Sequence, residues 1–234
     1  MENENNELKI SEFRYERKFF ISDLSKYEVE GLVRLHPGCF SEIYSKRYVN
    51  NIYFDSFSFK NLNDNVEGVS DRIKIRIRWY GNLFGYIQKP KLEIKIKKGL
   101  LGMKKVIPIT PFFLDENTDF LSIIYSIKNL SEILQIDLNA VIPTLVNRYS
   151  RTYYLSNNKN FRITIDSEQS FYHVKNINNS FLNHHDDKDS VILELKYDKI
   201  YDDDVKKITS IFPFRITKSS KYVKGLQRVL QISF

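Results

Sequence analysis

The chain has 234 residues, 36 Lys and Arg against 29 Asp and Glu for a net charge of +7, and 42% hydrophobic residues. That content supports a core, and the length limits the fold to one large domain or two small ones. The polar start MENENNELKI does not read as a secretory signal, no apolar run approaches the ~20 residues of a membrane span, and the lone Cys39 excludes an internal disulfide and a thiolate zinc cluster. The expectation is a cytoplasmic globular protein, frayed or disordered over residues 1–11 and a single domain over 12–234. The basic balance points to an anionic partner without naming it.

Taken in order, residues 12–21 alternate apolar and charged side chains and predict a strand. Residues 22–36 predict a helix with Ser22 as its N-cap. A strand at 47–55 and a short helix at 58–66 follow, then strands at 71–80, 91–98 and 103–109. The apolar span 111–136 reads as two helices packed over the sheet. Strands at 145–155 and 160–172 precede 173–189, which reads as a mobile surface loop. A strand at 190–198 and helices at 201–211 and 219–231 close the chain. Eight strands with short connections imply an antiparallel barrel or sandwich, and the helices make the class α+β.

Charge parity within the strands is the informative pattern, because side chains alternate faces along a strand. Arg72, Lys74, Arg76 and Arg78 share one face, and Ile73, Ile75, Ile77 and Trp79 the other. Glu93, Lys95 and Lys97 oppose Leu92, Ile94 and Ile96. Arg14, Glu16 and Lys18 oppose Phe13, Tyr15 and Phe19. Arg162, Thr164 and Asp166 oppose Phe161, Ile163 and Ile165, and Glu194 and Lys196 oppose Leu193 and Leu195. For one strand this is an ordinary sheet with a core face and a wet face. Two details weigh against that for the set. Arginine, the residue for forked phosphate contacts, dominates at 72–78 and recurs at Arg14, Arg151 and Arg162. An E-x-K spacing recurs at Glu16/Lys18, Glu93/Lys95 and Glu194/Lys196. If the charged faces line a closed barrel, its lumen suits a phosphate chain, with carboxylates for Mg²⁺ or Mn²⁺.

The series R-Y-E-R-K at 14–18, N-I-Y-F-D-S at 51–56, R-I-R-W-Y-G at 76–81, L-E-I-K at 92–95, N-R-Y-S-R-T at 147–152, R-I-T-I-D at 162–166, L-E-L-K at 193–196 and K-S-S-K-Y-V-K-G at 218–225 resembles the VTC domain. That is the polyphosphate polymerase domain of the vacuolar transporter chaperone family, within the triphosphate tunnel metalloenzymes and their CYTH-like relatives. The resemblance implies an eight-stranded antiparallel β-barrel, a triphosphate tunnel, with helices packed on the outside. It implies ATP-dependent, metal-dependent synthesis of inorganic polyphosphate, with Mn²⁺ or Mg²⁺ as cofactor. Carried over by motif, Lys18, Arg76, Arg78, Lys95, Arg151 and Lys221 would be catalytic and hold phosphates, joined by Lys104, Tyr149 and Ser220. Lys105 is the alternative to Lys104. Glu194 would be the principal metal ligand, with Glu16, Glu93 and Asp166 as weaker candidates. ATP, phosphate or pyrophosphate, and polyphosphate are the implied partners; nucleic acid is not expected, and a separate membrane protein partner is compatible.

Other residues read plainly. Arg72 and Lys74 belong to the tunnel mouth or to solvent. His184, His185, Asp186 and Asp187 fall in the least structured span and do not read as a metal site. Cys39 has no paired base. There is no Walker A sequence, so the chain is not a P-loop enzyme. A triphosphatase with water as acceptor and a non-catalytic polyphosphate or nucleotide binder use the same residues; sequence does not separate them from a polymerase, nor fix the oligomeric state.

Overall fold

The structure, a computed structural model, describes residues 14–98, 101–128, 130–131, 138–175 and 178–232. The N-terminal 1–11, and residues 132–137 where the span 111–136 places its second helix, lie outside the described residues. Eleven strands are described: β1 (Arg14–Ile21), β2 (Ser41–Ser56), β3 (Arg72–Tyr80), β4 (Gly85–Ile87), β5 (Lys91–Lys98), β6 (Leu101–Pro108), β7 (Phe112–Leu114), β8 (Val141–Leu155), β9 (Phe161–His173), β10 (His184–Asp187) and β11 (Val191–Asp198). The described helices are α1 (Lys26–Arg34), α2 (Lys60–Val66), α3 (Phe120–Lys128), α4 (Val205–Thr209) and α5 (Lys221–Leu230). None of the described helices is long and apolar enough to cross a membrane.

Eight strands follow one path, β1-β11-β9-β8-β2-β3-β5-β6, with every neighbouring pair antiparallel. These are the eight strands that the alternation predicts. The sheet curls: Lys95 of β5 reaches Glu16 of β1 at 3.9 Å although the two strands lie near opposite ends of the path. The result is a half-barrel, with no β1–β6 ladder among the described pairings.

The apolar parity of each strand faces outward and is covered, as the charge pattern requires. Phe120, Ile123, Ile124 and Ile127 form one stripe of α3 at helical spacing. They pack with the β4–β7 ribbon over Ile75, Ile77, Trp79, Leu92 and Ile94. Val29 and Val33 of α1, Val205 of α4 and Phe212 cover Phe19, Ile163, Ile165, Leu193 and Leu195. Helix α5 does the opposite and seats on the concave side, where Tyr222, Leu226 and Val229 meet Tyr53, Leu145 and Phe171. Gly225 permits this approach: a Cβ there would lie 2.5 Å from Leu145 Cδ2 and 2.6 Å from Phe171 Cδ1. Asp55 ties the closed end together, accepting from the Asn61 and Leu62 amides of α2 and from Tyr222 OH at 2.6 Å.

Three local expectations change. Ser25, not Ser22, caps α1, because Ser25 and Glu28 form a reciprocal capping box. Residues 112–114 pair with Gly85–Ile87 as a ribbon and are not helical; α3 begins only at Phe120, after Asp119 Oδ1 accepts from the Leu121 amide at 2.8 Å. Residues His184–Asp187 form a strand, not a loop. Strand β9 outruns β11, whose pairing ends at Asp166, and β10 takes up the edge left at Gln169–Tyr172.

Candidate active site

The concave face collects the charged parity of seven strands: β1, β3, β5, β6, β8, β9 and β11. Register aligns Arg76 with Tyr53 and Glu93, and Arg78 with Asn51. It aligns Lys95 with Lys74 and Lys104, Arg151 with Asp166, and Glu194 with Lys18 and Thr164. Lys105 pairs with Ile94 and so faces away from the groove, which leaves Lys104 as the lysine of β6 that enters it. Helix α5 brings Lys221 and the preceding Ser220 to the same space.

Three carboxylate centres organise the cations. Glu93, 7% exposed, accepts from Arg76 Nη2 at 2.6 Å and Lys104 Nζ at 2.8 Å, with Arg78 at 3.5 Å. Burial works to raise its pKa, but Arg76, Arg78 and Lys104 outweigh this and hold it well below the carboxylate range. Asp166, fully buried, accepts from Arg151 at 2.5 and 2.7 Å and from Lys221 at 2.6 Å. Burial opposes its charge too, and the same two cations keep it ionised.

The third centre is a pair of carboxylates. Lys18 lies 2.7 Å from Glu16 and 3.7 Å from Glu194; Lys196 lies 2.5 Å from Glu194. Burial and mutual repulsion push Glu16 up, and Lys18, Lys95 and Lys196 bring it below its ordinary value. Burial likewise opposes Glu194, which Lys196, Lys18 and Arg151 hold well down. Two of the three E-x-K spacings are thus direct ion pairs. In the third, Glu93 turns to Arg76 and Lys104 while Lys95 reaches Glu16.

Arg78 is aimed by an amide relay. Its Nε donates to Asn51 Oδ1 at 2.8 Å and its Nη2 to Tyr149 OH at 3.1 Å. Asn51 Nδ2 in turn donates to Asn147 Oδ1 at 2.7 Å. A guanidinium only donates, so it fixes both amide orientations and leaves Asn147 Nδ2 buried with no partner. The Tyr149 ring carries Lys221 at 4.5 Å and Arg151 at 5.2 Å from its centroid. Burial raises the Tyr149 pKa, but Arg151 and Arg78 bring it below the ordinary phenol value.

Lys74, assigned by sequence to the mouth or to solvent, is half-buried and shares the concave face with Lys95 and Lys104. Its Nζ donates to Ser220 Oγ at 3.4 Å, and no carboxylate pairs with it among the described residues. Burial, with Lys18, Arg72, Lys95 and Arg76 nearby, pushes its pKa down to about 7. The signal for it was present in its shared parity with Arg76 and Arg78. Asn51 and Asn147, which orient Arg78, carry no comparable signal.

A family model described as the VTC domain matches residues 13–230, a span that contains every element of this groove. The chain belongs to the VTC domain family. No curated protein matches it. Among solved structures it is similar to a candidate adenylate cyclase of Bacillus halodurans, with 13% identity, TM-score 0.49, and 89% of this chain and 95% of that one covered. A candidate adenylate cyclase of Vibrio parahaemolyticus shows 10% identity, TM-score 0.49 and coverage of 94% and 98%. A candidate adenylyl cyclase of Hippeastrum, described as having a dominant triphosphatase activity, shows 13% identity, TM-score 0.47 and coverage of 90% and 93%.

The donor set of this VTC domain can be tested against a divalent ion. No cluster of three metal-ligating side chains occurs among the described residues. Asp166 and Glu93 each have two cations within 2.8 Å. Glu194 and Glu16 each have one that close, with a second at 3.7 and 3.9 Å, and Lys18 lies between them. Mg²⁺-type ions use one or two carboxylates together with substrate phosphates, so this pair fits such an ion. Within 184–187, His184 stacks on Tyr172, and Asp187 accepts from Ser190 and Lys224.

Proposed function

We propose that the groove holds the phosphates of ATP and transfers the terminal phosphoryl group to phosphate, pyrophosphate or a growing polyphosphate chain. The observation that carries this reading is the convergence of Lys18, Lys74, Arg76, Arg78, Lys95, Lys104, Arg151 and Lys221 on one concave face, where they outnumber Glu16, Glu93, Asp166 and Glu194. Phosphoryl transfer needs positioning and charge neutralisation more than a covalent nucleophile. Arg76 and Arg151 are held rigid by their carboxylates and present fixed donors. Arg78, aimed by Asn51 and Tyr149, supplies a fork for phosphate oxygens. Lys74 brings an amine that no carboxylate pairs with among the described residues.

Glu194 and Glu16 would hold Mn²⁺ or Mg²⁺, which when bound neutralises phosphate charge between donor and acceptor. The side left open between β1 and β6, which do not pair among the described strands, gives a lengthening product a way out. Incubation with γ-labelled ATP and Mn²⁺, resolved by gel, tests this: labelled polymer supports polymerase activity. Free phosphate alone replaces it with a triphosphatase, and binding without turnover replaces it with a sensor.

A further inference from the structure

Toward the N-terminal half of β2, beyond Arg151, four side chains form a cluster of one guanidinium and three phenol rings. The Arg47 guanidinium lies 4.7 Å from the Tyr153 ring centroid, 4.9 Å from that of Tyr80 and 5.3 Å from that of Tyr44. Tyr44 and Tyr153 meet edge to face at 5.6 Å. Tyr80 and Tyr44 are about half exposed, at 49% and 50%, so each keeps accessible surface. Arg47 Nε is buried with no hydrogen-bond partner.

The backbone is built to bring these groups together. Tyr44 and Arg47 are three residues apart and would lie on opposite faces of a regular strand. Register shifts between Glu42 and Tyr44, and again between Tyr44 and Arg47, turn both toward the concave side. Register then sets Arg47 opposite Arg151 and Tyr80 opposite Val49, next to the phosphate ligands. At the other end of β2, Tyr53 stacks on Tyr222 of α5. Six residues separate Tyr53 from Arg47, roughly 20 Å of strand; Arg78, opposite Asn51, lies between them, and Arg151 lies beside Arg47. A nucleoside triphosphate lying along that line, terminal phosphate toward α5, puts its base at the tyrosines.

We infer that Tyr44, Arg47, Tyr80 and Tyr153 form the subsite for the base of a nucleoside triphosphate; this rests on the phosphate-groove reading above. Aromatic rings and a guanidinium plane stack on heteroaromatic bases, and inorganic polyphosphate offers nothing to stack. Because every base has a π face, the subsite tells nucleotide from inorganic phosphate chains more than one base from another.

Calorimetric titration of ATP, GTP and inorganic tripolyphosphate in metal-free buffer tests the assignment. Tripolyphosphate differs from ATP in charge, so the readout is the change each substitution makes. Tyr80→Ala weakens ATP and GTP about tenfold and leaves tripolyphosphate unchanged; Tyr80→Phe restores nucleotide affinity. Should Tyr80→Ala fail to fold, Tyr44→Ala gives the same readout. Equal weakening of all three ligands, or no change in ATP affinity, overturns the base subsite alone. Failure of the wild-type protein to bind any of the three overturns the phosphate groove with it.

Discussion

Lys74 of β3 meets Ser220 at the N-cap of α5, Nζ to Oγ 3.4 Å, as a half-buried lysine with no carboxylate partner among the described residues. Its charge is disfavoured until an anion arrives, since burial and four neighbouring cations bring its pKa to about 7. The sign follows. Without ligand, the unfolded chain binds more protons than the fold between pH 7 and the ordinary lysine value, so this group makes stability rise with pH across that window. A bound phosphate favours the charged form and reverses the trend. Tripolyphosphate binding at pH 8 therefore takes up protons, measured by titration in buffers of different ionisation enthalpy. Lys74→Met abolishes most of that uptake, and Lys74→Arg binds without it. Uptake that persists unchanged in Lys74→Met would show that another group titrates.

Glu194 is buried, ionised and close to Lys18 and Lys196. Glu194→Gln keeps the shape and removes the charge that would hold a divalent ion. Metal-dependent turnover of ATP falls by roughly 100-fold or more. Metal-free binding of tripolyphosphate is retained or strengthened, because one repelling carboxylate is gone. Turnover near the wild-type rate would remove Glu194 from the metal site.

The legible part of this chain was the part written in period two. In β3 every second residue from Arg72 to Arg78 is charged, so its two faces followed once one face had to be covered; its register partners come from the pairing with β2 and β5. Lys104 against Lys105 could not be decided from a K-K doublet, where one residue of slip exchanges the faces; the pairing of Lys104 with Lys95 decides it. Strand β10 was hidden because H-H-D-D has no alternation, and its strand state comes from the free edge of β9. The Arg78–Asn51–Asn147 relay joins residues up to 96 apart through cross-strand pairing, which no local pattern encodes. The depth of Lys74 depended on where α5 seats, and Gly225 sets that.

Asp166 neutralises Arg151 and Lys221 from a fully buried position. Asp166→Asn leaves two cations facing each other and destabilises the protein by about 3–5 kcal/mol, the usual cost of breaking a buried pair. Its lowered pKa means that the ion pair stabilises above the ordinary carboxylate value and fades as pH falls through the folded one. The variant loses that acid-side dependence. Added tripolyphosphate raises the variant's melting temperature more than the wild type's, because the ligand replaces the missing negative charge. An equal rise in both would mean that bound phosphate does not approach Arg151 or Lys221.

Gly225 is the point where the helix that closes the groove touches its floor. An alanine there places Cβ 2.5 Å from Leu145 and 2.6 Å from Phe171, and both partners are fully buried with no room to retreat. Gly225→Ala must lift α5 or displace those side chains, at a cost of about 1–3 kcal/mol. Lifting the helix also withdraws Lys221 from Asp166 and Ser220 from Lys74, contacts made at its first turn. The variant therefore melts earlier and also binds tripolyphosphate more weakly, whereas Leu62→Ala, in the same apolar cluster but on α2, lowers the melting temperature with little change in affinity. Thermal denaturation and calorimetry on the two variants separate the effects. Affinity that falls equally in both would show that general loosening, and not the seat of α5, controls the groove.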